Sequence, residues 1–238
     1  MLLGCLLAMV LACEAASPSE EILWETSRDI GNCVLSSPFI TGVCAGTLDP
    51  VSFGQFQVQD IMCYMPKAAT VLQGLYNRSL QEAGPGSQLA QYFRKFLDQH
   101  LAYLADEAKG WNLEQVRFNS ACVAYTDWLD LVARTEPLPQ AVIAFTAGHA
   151  LWDWMMQRMK SCIHEGNAYD KYIKAGGTVR PDWTSDFTDI DALVRGALSS
   201  QRSRSIETFR TALTHELNFF NSVIPHFHPK CSSAALWT

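Results

Sequence analysis

Residues 49–63 of this chain read DPVSFGQFQVQDIMC. Asp49 followed by Pro50 is typical of a helix start, because aspartate caps the first turn and proline fits the first helical position. The residues that follow at spacings of three and four, and therefore share one helical face, are Phe53, Phe56, Asp60 and Cys63. The segment thus predicts a helix whose otherwise apolar face carries a carboxylate at its centre.

The same helical periodicity dominates the rest of the chain. The helix that starts at Pro50 is expected to run to about Tyr76, and residues 83–87, which contain two glycines and a proline, break it. Further helices are expected over 89–109, 114–135, 138–163 and 204–223, with a loop over 176–187. Alternating strand patterns bounded by turn dipeptides are absent. The sequence therefore predicts an all-α fold with long helices, and 238 residues fit one domain with a sizeable core.

Three further apolar faces are each interrupted by one polar side chain, and these are Tyr125, His149 and Glu216, with Asp153 one turn beyond His149. Burying a lone carboxylate costs several kcal/mol unless it is paired or neutralised. Each residue alone could be a hydrogen-bonded core residue. Together with Asp60 they favour a polar pocket inside a helical bundle, in which the carboxyl groups have raised pKa values.

Four short segments resemble, in order and spacing, the motifs of the TenA (thiaminase II) family. These segments are Ser37-Pro38-Phe39-Ile40 with Gly42 to Leu48, Phe53 with Gln59-Asp60, Ala124-Tyr125-Thr126, and His215-Glu216-Leu217-Asn218-Phe219-Phe220. Ser37 stands where the family has a histidine. The resemblance runs from about Trp24 to Phe220.

This resemblance implies a haem-oxygenase-like helical bundle without haem, often assembled as a tetramer, so that a homo-oligomer (dimer or tetramer) is an expected partner. It also implies hydrolysis of thiamine, or of its degraded aminopyrimidine, and therefore a small planar heterocycle as ligand. By the same resemblance Asp60 binds the aminopyrimidine, Tyr125 lines the pocket and Glu216 handles protons. No cofactor is expected, because the name of a fold does not imply its ligand.

The chain departs from the family pattern at the position of the nucleophilic cysteine, which His149 occupies. An imidazole can act as a base or nucleophile, but it does not simply replace a thiolate. Two pocket aromatics of the family align with Cys63 and Asp153, which we therefore count with Asp60 and Tyr125 as substrate-binding residues. Glu216 and His149 remain the candidate catalytic residues. His149, oriented by Asp153, would act as base for a water, and Glu216 would act as acid.

Three functions stay open at this stage. The first is an aminopyrimidine hydrolase, and the second is an extracellular carrier that keeps the pocket without turnover. The third is a non-haem metal-dependent oxidase on the same fold, for which His149 and Asp153 fit the ligand pattern while Met156 stands where a second histidine belongs. A full ligand set is not visible, so no metal site is predicted.

The N-terminus reads MLLGCLLAMVLA over residues 1–12, an apolar run too short for a membrane span. Small residues follow, and cleavage after Ala15 or Ala16 would suit a signal peptidase, although a buried helix or a lipoprotein signal ending at Cys13 are alternatives. We expect a signal peptide over 1–16, a mature helical domain over 17–238, and a secreted, extracellular protein without a membrane span.

Six cysteines remain after such cleavage, at positions 33, 44, 63, 122, 162 and 231. An even number in an exported chain indicates disulfides, although about 15 complete pairings are open. The formal net charge of −6, without a cluster of lysine and arginine, argues against nucleic acid as a partner.

Overall fold

The computed structural model of this chain describes residues 18–107, 116–178 and 182–225. The α-helices of these residues are α1 (Pro18–Glu25), α2 (Arg28–Leu35), α3 (Pro38–Ala45), α4 (Pro50–Gln59), α5 (Met65–Glu82), α6 (Gln88–Glu107), α7 (Ser120–Thr135), α8 (Leu138–Met159), α9 (Asp170–Thr178) and α10 (Asp182–Asn221). A π-helical turn, Asp60–Tyr64, joins α4 to α5, and a 3-10 turn, Lys160–Cys162, follows α8. No strand occurs in the described ranges, and the predicted all-α fold is confirmed.

Several helices begin where the sequence supplies a capping side chain. Ser37 accepts a hydrogen bond from the Ile40 amide at 3.3 Å, and Asp49 accepts one from the Ser52 amide at 3.1 Å. Both caps precede a proline, which has no amide hydrogen to leave unpaired in the first turn. At the other end of α3, Gly46 adopts a left-handed conformation with φ of 71°, which a residue without Cβ tolerates best.

Helix α8 is the centre of the bundle. Fifteen of its 22 residues are buried, which is typical of a helix that other elements cover on most sides. Its most extensive packing is with α10, and α5 packs mainly against α6. Helix α7 contacts α8, α10 and the π-turn. The helices that carry the predicted polar residues therefore meet in the core.

The structure differs from the predicted element boundaries in several places. The helix predicted over 114–135 begins at Ser120, and residues 116–119 before it are non-helical. The segment that starts at Pro50 remains helical to Glu82, with the π-turn inside it. The loop predicted over 176–187 is wrong for 176–178 and 182–187, which belong to α9 and α10. Helix α10 starts 22 residues earlier than position 204, although the backbone at Gln201 is non-helical. Glycines lower helix propensity and so indicate a break in the sequence, but they do not by themselves end a helix.

The N-terminal helix α1 is attached to the bundle through polar and aromatic contacts. The Ser19 amide donates a hydrogen bond to Asp191 at 3.1 Å. The Trp24 ring stacks on Trp154 with centroids 5.2 Å apart and meets the edge of Phe209 at 5.7 Å. The predicted signal peptide over 1–16 lies outside the described residues.

Two disulfides join described cysteines. Cys44–Cys162 ties the end of α3 to the 3-10 turn, and Cys63–Cys122 ties the π-turn to α7. Cys33 is also disulfide-bonded, while Cys231 lies outside the described ranges. Within those ranges, no helix combines the length and apolar character needed to span a bilayer.

Candidate functional site

The π-turn positions two residues of the site, Asp60 and Tyr64. In a π-turn the hydrogen bonds span five residues instead of four, so the turn holds one extra residue, and such turns are frequent at functional sites. The Met65 amide accordingly donates to the Asp60 carbonyl. The ring of Tyr64 packs on Tyr125 with centroids 5.0 Å apart and on Phe219 at 6.1 Å. The turn therefore brings Tyr64, which the sequence analysis did not select, into the polar core.

Gln59 attaches the same turn to the start of α7. Its side-chain amide donates to the Arg117 carbonyl at 2.9 Å and accepts from the Asn119 amide at 2.9 Å. Asn119 in turn caps α7 by accepting from the Cys122 amide at 2.8 Å. In the Gln59-Asp60 pair, Gln59 thus fixes the start of α7, and Asp60 supplies a carboxylate to the site.

Tyr125 and Glu216 form the centre of the site. The Tyr125 hydroxyl donates to Glu216 Oε1 at 3.0 Å, and the two residues are only 1% and 4% exposed. Burial raises the pKa of Glu216 to about 8, the Tyr125 hydrogen bond opposes this shift, and the charge of Asp60 adds to it. Burial and the charge of Glu216 likewise raise the pKa of both Tyr125 and Tyr64. At neutral pH the Glu216 carboxyl is therefore mostly protonated and can donate a proton.

The backbone of α8 leaves room for the Glu216 carboxyl at Gly148. A Cβ at this position would lie 2.8 Å from Glu216 Oε1 and 3.4 Å from the Tyr125 hydroxyl. Only glycine therefore allows the carboxyl to rest against α8, one residue before His149. A glycine within a helical segment is a sequence signal of such a position, but Gly74 on α5 gives the same signal without a close contact.

Asp60 is held from α6. The Tyr103 hydroxyl donates to Asp60 Oδ2 at 3.2 Å. His100, one turn earlier on α6, is buried, and its Nδ1 lies 3.0 Å from the Phe96 carbonyl oxygen. Neither residue stands out in the sequence, because α6 reads as a regular amphipathic helix.

His149 lies against these α6 residues. Its ring is 4.1 Å from the ring of Phe96 and 5.8 Å from that of His100, to which it is nearly parallel. The family's nucleophile position thus holds an imidazole packed between α8 and α6. Its catalytic role stays a prediction.

Tyr172 adds a polar group from α9. Its hydroxyl oxygen is buried and has no hydrogen-bond partner among the described residues. Its ring packs edge to face with Phe53 at 5.1 Å and with Trp152 at 6.4 Å. Burial raises the pKa of Tyr172, and the charges of Asp60 and Glu216 raise it further. This hydroxyl therefore interacts electrostatically with both carboxyl groups.

Two predicted substrate-binding residues have a different setting. Cys63 is fully buried and disulfide-bonded to Cys122, so it presents no thiol. Asp153 accepts a hydrogen bond of 3.5 Å from Gln157, one turn further along α8. The structure thus brings together Asp60, Tyr125 and Glu216, whereas substrate contacts of Cys63 and Asp153 stay predictions.

His215 separates the polar core from a surface groove. Its ring is parallel to that of Tyr125 at 5.1 Å and contacts Trp128 at 5.1 Å. Burial lowers the pKa of His215 to about 4, so its ring is neutral at physiological pH. The groove of about 650 Å³ beyond it lies between α7 and α10, and a second groove of about 820 Å³ lies along α6. Neither groove contains Asp60 or Glu216.

Metal ligation was one alternative for the site. Within residues 18–107, 116–178 and 182–225, no group of three or more His, Cys, Asp or Glu side chains is arranged to hold a metal ion. The polar core instead combines two carboxyl groups with several phenol hydroxyls, an arrangement suited to hydrogen bonding and proton transfer.

Comparison with known proteins gives a consistent result for the fold. The sequence pattern of the TENA/THI-4/PQQC family matches residues 24–225. A TenA homologue from Pyrococcus furiosus is 15% identical, with 86% of this chain and 99% of that chain covered and a TM-score of 0.71. A TenA family transcription regulator from Silicibacter sp. TM1040 is 17% identical, with 88% and 98% covered and a TM-score of 0.70.

A candidate TenA-like thiaminase from Sulfolobus solfataricus P2 is 16% identical, with 85% of this chain and 94% of that chain covered and a TM-score of 0.60. No curated protein sequence is significantly similar to this chain. At these identities the structural relatives establish a shared fold, and the descriptions given to them differ in activity.

Proposed function

This chain belongs to the TENA/THI-4/PQQC family, and on that premise we propose that it binds a thiamine-type aminopyrimidine in the buried site around Asp60, Tyr125 and Glu216. The family and the candidate thiaminase among the structural relatives support a thiamine-related function. Because another relative is described as a transcription regulator, we infer the ligand from the chemistry of the site.

The observation that carries the proposal is the Tyr125–Glu216 hydrogen bond beside the Asp60 carboxyl group. An aminopyrimidine presents ring nitrogens that accept hydrogen bonds and an exocyclic amine that donates them. A protonated Glu216 can donate to a ring nitrogen, while Asp60 can accept from the amine. The two carboxyl groups thus offer one hydrogen-bond donor and one acceptor, as an aminopyrimidine requires.

Aromatic side chains around the carboxyl groups complement a planar ring. Tyr64 and Phe219 lie 6.1 Å apart between ring centroids, and Phe56 lies 5.3 Å from Phe219. Flat rings stack favourably on such surfaces in offset or edge-to-face arrangements. The buried Tyr172 hydroxyl, which has no hydrogen-bond partner among the described residues, is a further polar group available to such a ligand.

Turnover, if the site supports it, follows a route through water. Water forms a bond from its oxygen to the carbon that carries the leaving nitrogen, and its proton passes to His149. The carbon–nitrogen bond breaks with its electron pair on the nitrogen, and an amine leaving group takes a proton from Glu216. Cys33, Cys44, Cys63, Cys122 and Cys162 are disulfide-bonded, so none of them offers a thiolate for a covalent route.

The second candidate function is an extracellular carrier that binds the aminopyrimidine without turnover. The observation that favours it is the same set of disulfide-bonded cysteines, with an imidazole at the nucleophile position. Stable disulfides are typical of oxidising compartments, which also supports the proposal that the protein is secreted.

Calorimetry with thiamine and its free aminopyrimidine tests the proposed binding. Asp60→Asn should abolish the heat of binding, whereas Asp130→Asn, the same exchange at a surface carboxylate of α7 that pairs with Arg134, should retain it. Chromatographic detection of released pyrimidine then separates a hydrolase from a carrier. Absence of binding heat in the unmodified, oxidised protein would remove the proposal.

A further inference from the structure

We propose that the Cys63–Cys122 disulfide is a positioning device of the buried site, which holds Tyr64 against Tyr125 and thereby keeps the surroundings of Glu216 closed. This inference concerns the same site as the proposed function. It rests on that function only for the experiment that measures ligand binding. It assigns to the disulfide a role beyond that of a cross-link between distant parts of the chain.

The position of the two cysteines is the first observation. Cys63 lies inside the π-turn, directly before Tyr64 and three residues after Asp60. Cys122 lies on α7, three residues and so about one helical turn before Tyr125. Their Cα atoms are 6.4 Å apart, and both residues are fully buried. The covalent bond therefore joins the two elements that carry the site, next to the residues that form it.

A second attachment lies on the same boundary between the π-turn and α7. Gln59, the residue before the turn, bonds the backbone at Arg117 and Asn119 through both ends of its side-chain amide. The turn is thus fixed to the start of α7 at Gln59 and again at Cys63. Two attachments four residues apart restrict the rotation of the turn as well as its distance from α7.

Rotation matters because a π-turn is rarer and less favourable than an α-helical turn. Conversion to regular α-helix would rotate the residues after the extra position by about 100° around the helix axis. Tyr64 would then leave Tyr125, from which it is now 5.0 Å between ring centroids. A disulfide at Cys63 opposes that rotation, since the sulfur cannot follow it while it remains bonded to α7.

The surroundings of Glu216 depend on this arrangement. Its carboxyl contacts Tyr125 on α7 and Gly148 on α8. It also interacts electrostatically with Asp60 and Tyr64 on the π-turn and with Tyr172 on α9. Two of these come from the turn that the disulfide holds. Loss of the disulfide should let the turn relax and water reach the carboxyl, which lowers the pKa of Glu216 toward its ordinary value of 4.5.

The second disulfide provides a matched control. Cys44–Cys162 lies at the 3-10 turn, where the Asn167 side chain donates to the carbonyls of Cys44 at 3.0 Å and Cys162 at 3.1 Å. It spans 118 residues of sequence, compared with 59 for Cys63–Cys122. Its removal therefore releases at least as much chain entropy in the unfolded state, while the π-turn stays attached.

The experiment compares Cys63→Ala/Cys122→Ala with Cys44→Ala/Cys162→Ala. Calorimetry with the free aminopyrimidine of thiamine should show binding weakened roughly 10- to 100-fold in the first variant and changed less than about twofold in the second. Carbon-13 NMR of the Glu216 carboxyl should show titration near pH 8 in the unmodified protein and control, and well below that in the first variant. Equal behaviour of the two variants would overturn the proposal, because it would reduce Cys63–Cys122 to a general cross-link.

The two readouts separate this inference from the proposed function. If the unmodified protein binds no aminopyrimidine, the proposed function fails, and the Glu216 titration alone decides the role of the disulfide. If Cys63→Ala/Cys122→Ala does not fold, Cys63→Ala/Cys122→Val restores most of the lost volume and takes its place. A Glu216 titration unchanged in a folded variant would overturn the inference.

Discussion

The Tyr125 hydroxyl donates a 3.0 Å hydrogen bond to Glu216 Oε1 from α7 to α10, inside the hydrophobic core. This contact satisfies one oxygen of a carboxyl group that burial keeps protonated at neutral pH. A neutral acid in such a place can donate a proton or a hydrogen bond, which an ionised carboxylate cannot do. The electrostatic behaviour of the site should therefore depend mainly on Glu216.

We expect Glu216→Gln to flatten the dependence of stability on pH. The pKa of Glu216 is raised from 4.5 to about 8 in the folded state, so between these values the folded protein holds a proton that the unfolded chain has lost. Stability of the unmodified protein therefore falls as pH rises through this window, by about 4 kcal/mol if the shift is fully expressed. Urea unfolding at pH 5 and pH 8 measures the difference, and an equal slope in both proteins would contradict the assignment.

His215→Phe should change the stability profile on the acid side. The pKa of His215 is lowered from 6.5 to about 4, so in that window the unfolded chain binds a proton that the folded protein excludes. Stability of the unmodified protein consequently falls as pH drops from 6.5 to 4, by about 2 kcal/mol after allowance for partial exposure. The variant should lose this part of the acid sensitivity in unfolding experiments at pH 4.5 and 7. If the variant loses as much stability between pH 7 and pH 4.5 as the unmodified protein, the His215 side chain is solvated.

Gly148→Ala should displace the Glu216 carboxyl, because the new Cβ would lie 2.8 Å from Oε1. We expect a loss of about 1 to 3 kcal/mol in the free energy of unfolding and a marked loss of ligand affinity. Gly74→Ala is the control, since nothing lies within 4 Å of its Cβ position on α5. That control should gain up to about 1 kcal/mol through helix propensity. Equal stabilisation by both variants would contradict the close packing at Gly148.

Two tyrosine-to-phenylalanine changes should differ in their effect on stability, because only one of the two hydroxyls has a described hydrogen-bond partner. Tyr172→Phe removes a buried hydroxyl without a described partner, so the unliganded protein should be as stable or more stable. Tyr125→Phe removes the donor to Glu216 and should cost about 1 kcal/mol or more. Both should weaken aminopyrimidine binding, and thermal unfolding with and without ligand separates the two effects. Destabilisation of the unliganded protein by Tyr172→Phe would show that its hydroxyl is already paired.

The sequence pattern was sufficient for the fold class. The helical faces centred on Asp60, Tyr125 and Glu216 predicted a shared polar pocket. The structure shows the hydrogen bond between Tyr125 and Glu216 and an electrostatic interaction of Asp60 with Glu216, while the binding role of the three residues stays a prediction. The hydrogen-bond partner of Asp153 was not readable from the sequence. Asp153 lies one turn from His149 and accepts a hydrogen bond from Gln157, because position on a helix does not specify the partners of a side chain. Its role at the site stays a prediction.

The sequence by itself determined that the chain is helical and which faces carry isolated polar groups, since both are local properties repeated every few residues. Only the tertiary structure decided which cysteines pair and that Tyr103 and Tyr172 join the site from α6 and α9. It also decided that Tyr64, next to Cys63, faces Tyr125, because one extra residue in the π-turn changes the register of the helix. These features depend on contacts between segments far apart in sequence, and helical periodicity carries no information about such contacts.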